Sequence, residues 1–255
     1  MNDVFRIVVL VFSAMLLGCV SAQQLEQQSN AEFAKMREEL KVSASATDRN
    51  YVQCIADALI DQLEEPWRSV SWDVELFDEE ESNAFAMPGG QIGVYTGIFE
   101  SATNQDELAA VMGHEIAHVT SGHSLKRANA QTAASLGVLV GSAASEAVRD
   151  NAGLIVLGAQ LGLMLPYGRA QESQADIVGL GYMASAGFRP AASVSLWQNM
   201  AEENPSQMPQ FLSTHPSSET RIKELNADLE RVRPLYNQAR ASGLQPTCSR
   251  GQGRG

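Results

Sequence analysis

Gly113-His114-Glu115-Ile116-Ala117-His118 is an H-E-x-x-H whose flanks read as a helix. Successive helical residues turn by about 100°, so His114 and His118 project within roughly 40° of each other, one turn apart, and two imidazoles can hold one ion. Glu115 then stands beside the ion without ligating it. That place suits a general base: zinc acidifies a water and polarises a carbonyl, and a neighbouring carboxylate takes the proton. The chemistry implied is hydrolysis of a peptide bond. Chance is the alternative, since background usage gives the pattern in on the order of one such chain in a hundred or fewer. The histidine distribution argues against it, because His114, His118 and His123 lie within ten residues and only His215 stands apart.

A chain of 255 residues that is 44% hydrophobic has material for one sizeable core, so one catalytic domain with appendages is expected. Net charge is −12, with no Lys/Arg run to neutralise a phosphate backbone, which excludes nucleic acid as a partner. The densest acidic run, Asp78-Glu79-Glu80-Glu81, reads as a solvated turn.

The apolar run Ile7–Leu17 behind Arg6 is too short to span a bilayer and fits the core of a secretory signal, although Asp3 offsets the basic end. It runs into Leu16-Leu17-Gly18-Cys19, which resembles a bacterial lipobox; residues 1–18 are then a signal and Cys19 the lipidated first residue. A plain signal peptide with an incidental cysteine is the alternative. Val20 rather than Asp follows the cysteine, which by resemblance to enterobacterial lipoproteins favours the outer membrane. Setting Cys19 aside leaves Cys54 and Cys248 in an exported chain, read as a disulfide that ties an early helix to the polar tail 244–255, or else as two buried thiols.

Residues 19–47 read as a tether that becomes helical near Glu32 to Leu40, ahead of a domain over 48–243. Val52, Ile55, Ala56, Leu59, Ile60 and Leu63 make the stripe of an amphipathic helix ending before Pro66. Trp72, Val74 and Leu76 alternate with polar residues as in a half-buried strand, and Asn83–Met87 and Gln91–Thr96 flank the turn Pro88-Gly89-Gly90. The expectation is a small antiparallel sheet, whose edge either takes an extended substrate or is purely structural. Thr103 or Asn104 caps the motif helix.

His123 does not complete the metzincin pattern, which needs Gly at 121 and His at 124 where this chain has Ser121 and Ser124. If the helix continues, His123 also points roughly 140° from the ligand face, so it reads as a support for a ligand or a surface residue. Two small-residue segments, 133–147 and 152–165, are each too short to span a membrane and read as a helical hairpin over the site, or as a lobe that touches the membrane. Further on, Glu172 and Asp176 share a helix face. A carboxylate from a downstream helix can be the third ligand, and an acid one turn on can hold a ligating imidazole by its other nitrogen; on spacing alone Glu146 competes for the ligand role.

Four blocks now stand in order: Asn83-Ala84-Phe85-Ala86-Met87-Pro88-Gly89-Gly90, the H-E-x-x-H, Glu172-Ser173-Gln174-Ala175-Asp176, and His215-Pro216 with Arg221. Together they resemble the gluzincins of metallopeptidase family forty-eight, of the HtpX, CAAX prenyl protease and BepA-LoiP type, over about residues 50 to 230. The resemblance implies an α+β, mainly helical zincin-like domain. It implies one Zn2+ per chain on His114, His118 and Glu172, with Glu115 as base. It also implies that Asp176 orients a ligating histidine, Arg221 supports the site, His215 stabilises the oxyanion, and Asn83, Ala84 and Phe85 pair with substrate. The chain lacks the transmembrane helices of the prenyl proteases and the helical-repeat domain of the BepA type, so it is most similar to single-domain outer-membrane lipoprotein proteases of the LoiP type. The expected function is zinc-dependent cleavage of misfolded or unassembled envelope proteins, at the periplasmic face of the outer membrane and alongside envelope assembly or quality-control partners. The competing class is a zinc-stabilised chaperone or binding protein that rarely cleaves.

Overall fold

Three strands form before the motif helix, and they do not lie in sequence order. In the computed structural model, which describes residues 20–153, 165–202, 211, 213, 215 and 219–250, β1 (Asp73–Phe77), β2 (Ala84–Met87) and β3 (Gln91–Tyr95) make one sheet ordered β1-β3-β2. β2 and β3 are the expected antiparallel pair, and Gly89 and Gly90 between them take φ of 110° and 90°. β1 instead pairs parallel to β3, so the sheet is mixed rather than antiparallel. The cause is the acidic run, which is more than a solvated turn. Its backbone passes over the end of β3, where the Glu79 carbonyl accepts from Gly97 N at 2.9 Å and from Thr96 Oγ1 at 2.9 Å, and it delivers β2 to the far side. Gly97 makes the crossing fit, since a Cβ there would lie 2.1 Å from the Glu80 carbonyl oxygen.

Helix α1 (Ala22–Glu39) begins ten residues before the expected start, because Ser21 and Gln24 form a reciprocal capping box at its N-terminus. Phe33 anchors it to the sheet, edge-on to Phe77 at 6.1 Å and to Phe85 at 6.4 Å, and Arg37 reaches Asp73 and Glu75. Helix α2 (Ala46–Ile60) buries Val52, Ile55, Ala56 and Leu59 of the stripe legible in the sequence, together with Tyr51, while Leu63 is buried just past its end. Cys54 on α2 and Cys248 in the tail have Cα atoms 5.8 Å apart and sulfurs at bonding distance. The tail is held further by Arg250, which lies 3.9 Å over the Phe99 ring and pairs with Asp48.

After the short α3 (Ile98–Ser101) comes α4 (Gln105–Thr120), the motif helix, buried along almost its whole length. Asn104 caps it by accepting from the amides of Asp106 and Glu107 at 3.1 Å. The two buried acids of its first turn are satisfied, Glu107 by Thr103 N and Oγ1 and Asp106 by Arg189. The sheet and α2 cover one side of α4. The other side is covered by α7 (Leu165–Ala186) and α8 (Ala192–Glu202), with α9 (Glu219–Ala241) packed behind α7.

Between them lie α5 (His123–Ala144) and the short α6 (Glu146–Asp150). Among the side chains of α5 only His123 is buried. The segment 133–147 therefore lies on an exposed helix and its continuation, while most of 152–165 lies outside the described residues. Residues 1–19 with Cys19, Pro216 and the last five residues lie outside them too. Among the described residues no helix is long and apolar enough to cross a membrane.

Candidate metal centre

Helix α4 aims His114 and His118 in one direction, and α7 brings a carboxylate to meet them. The ligand-bearing helices can approach because both are glycine at the crossing: a Cβ on Gly113 would lie 3.2 Å from the Gly179 carbonyl oxygen. Glu172 Oε1 lies 3.3 Å from His118 Nε2, and Glu172 Oε2 lies 3.4 Å from His114 Nε2. His215 enters from the segment before α9, its Nδ1 3.2 Å from His114 Nε2 and 2.8 Å from Glu172 Oε2. The two Nε2 atoms of His114 and His118 are 3.0 Å apart. Donors at 2.0 to 2.2 Å from one tetrahedral ion would sit roughly 3.3 to 3.6 Å from one another, and these separations of 2.8 to 3.4 Å are close to that spacing. His114, His118, Glu172 and His215 fit a metal site; Glu146, the competitor by spacing, is exposed on α6 and pairs with Arg149.

Around the donors lie groups that fix them. Asp176 Oδ1 is 3.0 Å from His114 Nδ1, and the same carboxylate accepts two hydrogen bonds from Arg221. Arg221 lies 3.7 Å over the Trp197 ring and donates to the His215 carbonyl at 3.4 Å. Phe211 stacks on His215 at 4.7 Å. Glu115 is buried at 4% exposure, and its Oε1 has no hydrogen-bond partner; His215 Nε2 is 3.4 Å from it. A carboxyl oxygen left without a hydrogen bond in a buried site is costly unless a cation or a reacting proton is to meet it.

Electrostatics point the same way. Burial disfavours charge on His114, yet the carboxylates of Asp176 and Glu172 outweigh it and lift its pKa to about 9. Burial opposes ionisation of Glu172 as well, but hydrogen bonds from His114, His118 and His215 hold it well below the usual carboxylate range. Asp176 is lowered against its own burial by His114 and Arg221. His118 and His123 are depressed, in both cases chiefly by burial. Ionised carboxylates thus face inward on imidazoles, a donor set that favours a cation at its centre.

His123 lies closer than the uninterrupted-helix argument allows. The chain breaks at Gly122, with φ of 65°, and α5 starts at His123, which swings the imidazole back until its Nδ1 is 2.9 Å from His118 Nδ1. It is fully buried.

The edge residues Asn83, Ala84 and Phe85 divide by strand alternation. Tyr95 N donates to the Asn83 carbonyl, and Phe85 pairs with Gly93 through the ladder, so the main-chain groups of Asn83 and Phe85 face β3. Those of Ala84 and Ala86 face outward, where no strand pairs with β2 among the described residues. The far end of the Phe85 ring lies against Gly93, where a Cβ would come within 2.2 Å of it. Phe211 N donates to the Ser82 carbonyl at 3.1 Å, and His215 N donates to the Phe211 carbonyl at 2.8 Å, which joins this edge to the metal centre. Sequence reasoning missed Gln174, Gly179, Trp197 and Phe211. Only Gly179 left a signal, three residues past Asp176 and seven past Glu172, on the same helix face.

Comparison with known proteins agrees with the site. Residues 46–229 match Peptidase family M48. The mitochondrial metalloendopeptidase OMA1 of Schizosaccharomyces pombe is 34% identical over 158 residues, 61% of this chain and 46% of that protein. A putative beta-barrel assembly-enhancing protease of Vibrio cholerae is 33% identical over 162 residues, 60% of this chain and 34% of that protein. The human mitochondrial metalloendopeptidase OMA1 is 32% identical over 168 residues, 62% of this chain and 32% of that protein. The chain therefore spans about half or less of the length of these curated relatives. With the matched region holding all four donors, Glu115, Asp176 and Arg221, the chain belongs to peptidase family M48.

Proposed function

We propose that this chain is a zinc-dependent endopeptidase that cleaves extended segments of misfolded or unassembled proteins of the bacterial envelope. The observation that carries the reading is the pairing of a four-donor cluster with a buried Glu115 oxygen beside it that makes no hydrogen bond. His114, His118 and Glu172 would hold the zinc, which supplies Lewis-acid polarisation of the scissile carbonyl and a lower pKa for the attacking water. Glu115 takes the proton from that water and returns it to the leaving amine. Asp176 holds His114 by Nδ1 so that Nε2 presents a lone pair to the centre, and Arg221 keeps Asp176 in place. His215, turned from the donor set, offers an N–H to the developing oxyanion. Substrate lies along the open edge of β2 and pairs with the main chain of Ala84 and Ala86. The lipobox-like Leu16–Cys19 and the relatives named beta-barrel assembly-enhancing proteases support an outer-membrane anchor and a periplasmic site, with envelope assembly or quality-control partners.

The test is cleavage of an unfolded reporter protein with zinc, with chelator and with zinc restored. Activity lost and regained supports the reading. Binding of the unfolded protein without cleavage would favour a zinc-stabilised chaperone.

A further inference from the structure

We propose that His123 is a positioning residue that fixes the tautomer of His118, and that Gln174 sets the order of protons along this line. The inference rests on the reading of His118 as a metal donor. It is reached independently from both ends of a chain of three side chains.

From the inner end, His118 Nε2 points into the cluster, 3.0 Å from His114 Nε2 and 3.3 Å from Glu172 Oε1, and to ligate a metal it must offer a lone pair there. A neutral imidazole carries one N–H, so the proton must sit on Nδ1. The group 2.9 Å from that Nδ1 is His123 Nδ1, which must then accept. From the outer end, His123 Nε2 is 3.0 Å from Gln174 Oε1, an oxygen that can only accept. His123 must therefore carry its proton on Nε2 and leave Nδ1 bare. Both ends require the same order: His118 Nδ1–H donates to His123 Nδ1, and His123 Nε2–H donates to Gln174 Oε1.

The two ligand imidazoles are thus oriented by different chemistry, His114 by the anionic Asp176 and His118 by a neutral histidine. A neutral partner makes electrostatic sense, because Glu115, Glu172 and Asp176 already crowd this buried region and a further carboxylate would add another charge to desolvate. The backbone places His123 for this task. The left-handed Gly122 starts a new helix at His123, and Gln171 Nε2 reaches the His123 carbonyl at 3.4 Å.

The test compares His123→Asn with His123→Leu. Asn places an oxygen where Nδ1 stood and can still accept from His118, whereas Leu fills the space and accepts nothing. Zinc affinity, read by chelator competition, should stay within about threefold of wild type in His123→Asn. In His123→Leu it should fall by roughly 10- to 100-fold, the range for lost partners of ligating histidines. Nitrogen-15 spectra of the wild-type histidines supply a measurement that needs no variant to fold. They should show His123 protonated on Nε2 and bare on Nδ1. The proposal is overturned by a proton on His123 Nδ1, by wild-type zinc affinity in His123→Leu, or by equal losses in both variants. Failure of the wild-type protein to bind zinc would instead overturn the metal reading, and the nitrogen spectra would still decide the proton order.

Discussion

Gly179 on α7 meets the backbone of Gly113 on α4 with nothing between them: a Cβ on Gly179 would lie 2.8 Å from the Gly113 carbonyl carbon and 2.8 Å from His114 N. Neither neighbour is the movable end of a side chain, so a methyl must push the helices apart. Glu172 and Asp176 ride on α7, and the displacement would draw both from the histidines. Gly179→Ala is expected to cost about 1 to 3 kcal/mol of stability and to weaken zinc binding. Gly181→Ala is the control, since a Cβ there meets nothing within 4 Å and alanine favours a helix. Chelator competition and urea unfolding check both; zinc affinity unchanged in Gly179→Ala would show that the close crossing does not set the ligand geometry.

The alternation along β2 gives a second, directional prediction. The amide of Ala86 faces the edge where no strand pairs with β2 among the described residues, and that of Phe85 faces β3. Ala86→Pro removes a group offered to substrate while leaving the sheet intact, as proline is tolerated at an outward edge position. It should raise KM for an unfolded reporter about tenfold, comparable to one lost hydrogen bond of roughly 1.4 kcal/mol, with little change in melting temperature. Phe85→Pro should instead lower the melting temperature. Equal KM for Ala86→Pro and wild type would remove the β2 edge from substrate binding.

How much of this could be read from the chain depends on distance along it. The capped motif helix, the stripe of α2 and the turn at Gly89-Gly90 are local patterns and stand as expected. The parallel pairing of β1 was not legible, because it depends on where the run Asp78–Glu81 crosses, a contact between its backbone and Gly97. His123 supports a ligand, one of the two readings its spacing allowed; how closely it approaches was hidden by the assumption of one unbroken helix, which Gly122 breaks. Gln174 acts on a partner fifty-one residues away, and Phe211 reaches the sheet edge through Ser82, separations that no spacing rule covers.

Glu115→Gln separates metal binding from chemistry. Glutamine keeps the size of the side chain and all four cluster donors remain, so zinc content should match wild type. Activity should fall by about 10²- to 10⁴-fold with loss of the base. Zinc lost in proportion to activity would assign Glu115 to the ligand set instead.

Cys54 and Cys248 are 194 residues apart in sequence, so a bond between them closes a loop of most of the domain. Chain-entropy arguments put such a closure at roughly 5 kcal/mol, the ideal case. The Cys248 amide also donates to Gln105 Oε1 at 2.8 Å, which fastens the tail to the start of the motif helix. Unfolding in urea with and without reductant should show a loss of several kcal/mol on reduction. Thiol labelling of the exported, unfolded, non-reduced protein should leave both positions unmodified; labelling of both would mean that the pair is not oxidised in the cell.

His215 Nδ1 completes the four-donor cluster rather than standing back from it. A zinc site closed by four protein donors is the structural kind, whereas a catalytic site keeps one position for water or substrate. In the arrangement described here the enzyme would therefore be latent, with His215 where the reaction needs an open position. Release is geometrically simple, because His215 lies on the segment before α9 and is held by stacking on Phe211, the Arg221 bond to its carbonyl and the Glu172 contact. Once turned out, the same imidazole can serve the oxyanion, so its removal has two opposed effects. His215→Ala should raise the fraction of molecules open to substrate and lower the rate in each by about 10²- to 10³-fold. The separable readout is inhibition by a small zinc-binding hydroxamate, which needs the open position but no oxyanion donor. His215→Ala should bind it more tightly than wild type even as turnover falls. Equal hydroxamate affinity in the two proteins would show that His215 does not close the resting site.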